Sequence, residues 1–364
     1  MNILHGLKNK IIVFILSFCC VLSGCAFGAG YGVYDERVFY AFNGTPVVAK
    51  IFGCEFSDEI AGETQNFLNG LNAEFSATEN STVYAINAAA AGEKTAVSDR
   101  FSEIYADCIF MNEFTQGKFD VSVYPLTLIW QFAPNFPVAD FLPPDAAAIS
   151  AAQKLVGKDK FALKGGELIK TETGAKLDLG GALKGYAADK IAEYLKSKGA
   201  SGGYINCGNS SLYIISADTL SVVHPRNDGN ILKITETLTD VAVATSGDYE
   251  RTYFHNGETY SHIIDPESGL PAKTHIASAT VVTKNGLKAD ALSTALCLFS
   301  HDPVNPENGE LVRFIKSART ASDFKDAAFY VVYDDGDFKQ IITNKKQGEN
   351  FTLLDSDYSV YFIG

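Results

Sequence analysis

No Cys-x-x-Cys pair occurs in the chain, which removes the usual zinc and dithiol signatures. No basic tract follows residue 10, and the formal net charge is −13, so a nucleic-acid backbone would find no concentrated lysine and arginine to meet it. An anionic small ligand is not excluded, because a metal ion or backbone N–H groups can serve a phosphate. The apolar run 11–22 is too short for a confident membrane span. Ser246-Gly247-Asp248-Tyr249 does not form a G-x-S-x-G elbow and no G-x-G-x-x-G occurs, which discounts a serine hydrolase at that block and a Rossmann dinucleotide site. There is no repeat at a fixed period and no extended charge block.

What is present is a substantial core. Hydrophobic residues make up 46%, with 25 Phe and 17 Tyr, so global disorder is excluded. A length of 364 residues suits one large domain or two intimately joined ones.

The N-terminus has Lys8 and Lys10, then the short apolar run, then Leu22-Ser23-Gly24-Cys25. That order predicts a signal peptide over 1–24. The tetrad resembles a bacterial lipobox, which would leave Cys25 lipidated and the body tethered to the outer face of a membrane. Three glycines between Phe27 and Gly32 make 25–35 a short tether, and 36–364 the working domain. Cys54, Cys108, Cys207 and Cys297 sit among apolar or small residues and read as core thiols rather than disulfides or a metal site.

Hairpins and helices alternate along the rest. Asn43-Gly44 divides two strands between Val33 and Phe56. Phe67, Leu68, Leu71 and Phe75 place a helix over 57–76, and a second covers 99–116 before Gly117. The stretch 78–95 reads as irregular, and 135–144 as a proline-rich loop. Segments 161–169 and 175–177 read as a hairpin, and a helix is expected from about Leu183 to Lys198 with Gly180-Gly181 just before its start. Strands are expected at 204–206, 211–215, 231–235, 241–244 and 277–283, with a hairpin around Asn256-Gly257. Helices at 287–299 and 309–317, a hairpin around Asp335-Gly336 and a closing edge strand at 358–363 complete the pattern. Antiparallel hairpins with amphipathic helices favour an α+β fold over a doubly wound parallel one.

The densest cluster of functional residue types runs from Thr245 to Thr294. Asp290 and Thr294 are four apart on a predicted helix and share a face away from the Leu292–Phe299 stripe. A carboxylate and a hydroxyl so placed are hard ligands suited to Mg²⁺; on spacing alone the pair is ordinary, a solvent-facing acid and a helix hydroxyl capping or bonded to a carbonyl. His262 shares a strand face with Ile264 and could act as acid, base or ligand, or be a buried histidine bonded to backbone. Gly180-Gly181 before a helix can bring backbone N–H groups to a phosphate. Asp120, Asp178 and Asp265 could be imagined as paired carboxylates, but sequence does not place them at the required separation.

These blocks in this order resemble the FAD:protein FMN transferase family, the periplasmic flavin transferases. The likeness spans 42–300 and is carried by 117–125 with Leu126 and Trp130, then 178–189, 202–208, 244–249, 261–271 and 289–294. The resemblance implies a bilobal α+β body with flanking helices and FAD in the cleft between lobes. It implies Mg²⁺ held by Asp290, Thr294 and the backbone carbonyl of Ala182, and His262 in the flavin site. Lys184, Gly185, Tyr186 and Asp189 match the cofactor cleft, and Thr245, Ser246, Gly247 and Asp248 the segment near the pyrophosphate. Gly44, Thr45 and Asp120 match contacts from the first half, where Asn43-Gly44-Thr45 replaces the family's usual Met-Gly-Thr. Cys207 also departs from the family pattern and reads as a tolerated small residue.

The implied reaction moves FMN from FAD to a threonine or serine hydroxyl of an acceptor protein, an exported or membrane redox subunit, and releases AMP. His262 or Asp290 would take the hydroxyl proton. The alternatives are a Mg²⁺-dependent FAD pyrophosphatase giving FMN and AMP, and a flavin-binding lipoprotein without turnover.

Overall fold

The computed structural model describes residues 34–77, 80–133 and 141–364. The expected signal peptide (1–24), Cys25, nearly all of the tether and most of the 135–144 loop lie outside the described residues. No described helix is long and apolar enough to cross a membrane.

Strands Asp35–Ala41 and Thr45–Phe52 form the expected hairpin, turned by Phe42, Asn43 and Gly44 at left-handed φ of +46°, +62° and +88°. The hairpin is one edge of a nine-stranded sheet. Inward from it come Gly202–Cys207, Ser211–Ala217, Leu238–Gly247, Ile276–Thr283, Ala328–Asp334, Lys339–Thr343 and Ser359–Phe362. All neighbours are antiparallel except the last pair, where Ser359–Phe362 closes the far edge in parallel.

Strand alternation splits the core across this sheet. Tyr213, Ile215, Ala279, Val281, Phe329 and Val331 face the helices Asp58–Phe75, Asp99–Phe114, Gly180–Ser197 and Gly286–Leu296. Leu212, Ile214, Tyr330 and Val332 face a three-stranded sheet of Leu220–Val223, Asn230–Ile234 and Phe351–Leu353. A third cluster of Leu126, Trp130, Phe132, Ala152 and Ile264 packs with Tyr253 and Tyr260 of the hairpin Thr252–His255 and Glu258–Ser261. The architecture is the expected α+β arrangement of antiparallel sheets and flanking helices. The four cysteines 54, 108, 207 and 297 are free thiols, as expected.

Helices begin where a side chain can take an orphan N–H. Ser57, Ser81, Ser98, Asp145 and Asn285 each accept from the backbone N–H three residues on.

Several local expectations give way. The 78–95 stretch is not wholly irregular: Thr82–Ala88 is a Ser81-capped helix and Lys94–Ala96 a strand. That strand, not 175–177, is the third member beside the hairpin Phe161–Lys164 and Glu167–Lys170. Lys176 makes a lone bridge to Val123. The 180–197 helix starts three residues early, so Gly180 and Gly181 form its first turn rather than precede it. Asp178 stabilises that start, its Oδ1 accepting from Gly180 N at 2.8 Å. Residues after Ser261 leave the strand, and Ile263 and Ile264 are both buried, so the expected alternation around His262 fails.

Candidate active site

The 286–296 helix carries the centre of the site, and it is buried on nearly every side. Asp290 is only 3% exposed, which overturns a solvent-facing role for it. Its Oδ1 accepts from Ser211 Oγ at 2.9 Å and its Oδ2 from Gly185 N at 3.1 Å. One turn on, Thr294 Oγ1 donates to the Asp290 carbonyl at 3.2 Å and lies 3.2 Å from Ser246 Oγ. Ser246 also bonds Ser293 Oγ at 2.8 Å, which joins the helix to strand 238–247.

These groups open onto a cleft of about 360 Å³. Thr45, Asp120, Lys184, Thr245, Ser246, His262, Asp290 and Thr294 all line it. The sheet edge supplies Thr45, whose Oγ1 donates to Phe42 O at 3.0 Å. Gly208 leaves room there, since a Cβ on it would stand 2.6 Å from Thr45 Cγ2. Gly181 does the same deeper in, where a Cβ would meet Phe119 at 3.3 Å and Thr294 Oγ1 at 3.8 Å. Lys184 Nζ donates to Ser210 Oγ. Asp120 Oδ1 accepts from Ser122 N at 2.7 Å and Ser122 Oγ at 2.6 Å, a local turn that fixes its direction.

His262 continues the 252–261 hairpin by one bond, donating its N–H to Arg251 O at 3.0 Å. Its Nδ1 is buried with no hydrogen-bond partner among the described residues. Burial first, then the charges of Arg251 and Lys184, pull its pKa down to about 4. The ring is therefore neutral near pH 7 and offers a free nitrogen.

Other sequence-derived candidates lie off the cleft wall. Gly44 borders a shallower pocket with Tyr40, Asn72 and Asn80. Ala182 is fully buried between the lining residues Gly181 and Leu183. Asp248 forms a two-pronged pair with Arg226, at 2.6 and 2.8 Å. Gly247 packs on the Tyr249 ring, and Tyr186 lies half-buried under Lys190. Gly185 and Asp189 sit at the crossing of the 180–197 and 286–296 helices, where burial pushes the Asp189 carboxyl up to about 7.

The cleft also holds Lys118, Glu250 and Arg251, which motif reasoning did not single out, and Asp178, which it named only among imagined paired carboxylates. A cation next to the Ser246 block in so acidic a chain was the available signal for Arg251. Its guanidinium donates to Phe132 O. Lys118 pairs with Asp265 Oδ1 at 3.2 Å and with Glu267 Oε2 at 3.4 Å. The cleft thus sets the carboxylates Asp120, Asp178, Glu250 and Asp290 against the cations Lys118, Lys184 and Arg251. Burial raises the pKa of all four carboxyls.

Among the described residues no three His, Cys, Asp or Glu side chains gather as a metal cage. The donor set is instead one carboxylate with the hydroxyls of Thr294 and Ser246, in a cleft with excess acid. Each Asp290 oxygen keeps a second lone pair beyond its bond. That set suits a hard divalent cation taking few protein ligands, the rest coming from phosphate and water.

A family model described as the ApbE family matches residues 43–305. The chain belongs to the ApbE family. Among curated relatives, the FAD:protein FMN transferase of Vibrio cholerae is 29% identical over 256 residues, covering 69% of this chain and 76% of that one. A Klebsiella pneumoniae protein of the same name is 28% identical over 282 residues, covering 77% and 83%. The crystal structure of the ApbE protein from Thermotoga maritima superposes with a TM-score of 0.71 at 29% identity, covering 84% of this chain and 96% of that one. The V. cholerae flavin transferase superposes at 0.70 with 23% identity, covering 88% and 96%, a likeness of fold.

Proposed function

We propose that this ApbE-family chain is an FAD:protein FMN transferase acting on a threonine or serine hydroxyl of an acceptor protein. Its curated relatives carry that activity in their names. The observation that carries the reading is one cleft that gathers Thr45, Lys184, Thr245, Ser246, His262, Asp290 and Thr294 from five separate stretches.

In the reaction, the acceptor oxygen forms a bond to the phosphorus of the FMN half of FAD. The bond from that phosphorus to the bridging oxygen breaks, and AMP leaves with the electron pair. The hydroxyl proton passes to a base, for which neutral His262 on the cleft wall, or Asp290, is the candidate. Lys184 and Arg251 attract the diphosphate and hold its register. Magnesium, held by Asp290 and Thr294, would neutralise phosphate-oxygen charge. Ser211 and Gly185 orient the Asp290 carboxylate, and Ser246 orients the Thr294 hydroxyl.

A lipid on Cys25 would hold the enzyme at the outer face of a bacterial membrane, where the acceptor would be an exported or membrane redox subunit. The test is co-expression with such an acceptor and mass spectrometry of it. One added FMN on a threonine or serine supports the reading. Free FMN with an unmodified acceptor means a pyrophosphatase, and FAD left intact means a binding protein.

A further inference from the structure

Gly185-Tyr186-Ala187-Ala188-Asp189 and Gly286-Leu287-Lys288-Ala289-Asp290 share one pattern, a glycine followed four residues later by an aspartate. They lie on the 180–197 and 286–296 helices, and the two patterns meet face to face. A Cβ on Gly185 would stand 2.0 Å from the Gly286 carbonyl oxygen. A Cβ on Gly286 would stand 2.3 Å from the Gly185 carbonyl oxygen. No other residue fits either position at this separation.

Each aspartate then crosses to the opposite glycine. Asp189 Oδ2 accepts from Gly286 N at 2.6 Å, and Asp290 Oδ2 accepts from Gly185 N at 3.1 Å. Gly286 opens its helix, so its N–H has no partner within that helix, and a carboxylate there also meets the positive helix end. The two bonds form a reciprocal clasp, with Asp290 as the member that reaches the cleft.

Asp189 is poorly suited to a purely structural role. Its Oδ1 is buried with no hydrogen-bond partner among the described residues, 2.6 Å from where a Gly286 Cβ would lie. A buried carboxylate with one oxygen unmet costs stability. Nor does Asp189 line the cleft, so a direct cofactor contact does not account for it.

We infer that the clasp sets the direction of the Asp290 carboxylate, and that Asp189 is a positioning residue acting through the Gly286 N–H. The metal readout of this inference rests on the transferase reading above; the geometric readout does not.

The test uses glycine-selective ¹⁵N spectra and Mn²⁺ affinity with FAD present, on the wild type, Asp189→Ala and Asp189→Asn. Gly185 reports on Asp290, because its amide touches that carboxylate. In Asp189→Ala both the Gly286 and Gly185 resonances should move, and Mn²⁺ should bind about 10- to 100-fold more weakly, the scale for lost outer-shell support. Asp189→Asn keeps an acceptor for Gly286 and should leave Gly185 and the Mn²⁺ affinity within about threefold of wild type. Should Asp189→Ala fail to fold, Asp189→Ser, too short to reach the Gly286 N–H, carries the same outcomes. An unmoved Gly185 resonance with unchanged Mn²⁺ affinity would overturn the inference. So would a raised KM for FAD with kcat and Mn²⁺ affinity intact, which would make Asp189 a cofactor contact. A wild type that binds no Mn²⁺ would remove the metal reading and leave the Gly185 resonance to decide the clasp.

Discussion

The hydroxyls of Ser246 and Thr294 stand 3.2 Å apart across 48 residues of sequence. Through that contact a strand of the central sheet holds a helix whose preceding turn carries Asp290. Replacing Ser246 with Ala removes the hold on Thr294 without touching the carboxylate. The expected result is a folded protein with FMN transfer reduced about 10- to 100-fold, the loss typical when a metal ligand's support is removed. Steady-state kinetics across a metal titration checks it, and an unchanged metal requirement would contradict it.

Lys184 should matter for the ligand more than for the fold. Its ammonium reaches Ser210 and lines the cleft, with no paired carboxylate among the described residues. Lys184→Met is expected to weaken FAD about tenfold, roughly 1.4 kcal/mol. The remaining affinity should also fall less steeply with salt, because one charge contact is gone. Calorimetric titrations with FAD at two ionic strengths measure both effects.

Trp130 tests packing against ligand contact. It is buried, its Nε1 donates to Gly269 O at 2.8 Å, and it does not line the cleft. Gly269 sits at φ +70° with no room for a Cβ, so that carbonyl belongs to a tightly specified turn. Trp130→Phe should lower stability by about 1 kcal/mol, the net worth of one hydrogen bond, and leave FAD affinity unchanged. Urea unfolding and FAD titration separate the two.

His262 sets a pH dependence whose sign follows from its lowered pKa. The folded chain holds this ring at about 4, below the ordinary 6.5. Between those values the unfolded chain binds a proton that the folded chain refuses. The ring's contribution to stability is therefore complete above pH 6.5 and is lost as pH falls toward 4. NMR titration of the His262 ring should show a midpoint near 4. The unfolding midpoint of the wild type should fall more steeply over that window than that of His262→Asn.

Much of this was legible in local pattern. The Asn43-Gly44 hairpin, the Ser57 and Ser98 helix starts and the alternating Ile276–Thr283 strand all follow from turn chemistry and periodicity. The failures have physical causes. Apolar spacing put the start of the 180–197 helix near Leu183, but Gly180 and Gly181 form its first turn, where a Gly181 Cβ would stand a tight 3.3 Å from Phe119. The Thr82–Ala88 helix is only two turns long, too short for periodicity to declare. Asp189 and Asp248 carry motif signals yet face Gly286 and Arg226, because helix crossings and ion pairs between distant segments leave no local trace. Arg251 and Glu250 reach the cleft for the same reason, set by the hairpin that follows them.

The account turns on Asp290 serving FMN transfer from this cleft. The most direct measurement counts AMP released and flavin bound to acceptor in the same reaction, for wild type and for folded Asp290→Ala, with FAD and magnesium supplied. The account predicts equal amounts of AMP and acceptor-bound FMN from the wild type, and neither from Asp290→Ala. Undiminished transfer by Asp290→Ala, or wild-type AMP appearing with free FMN and a bare acceptor, would contradict it.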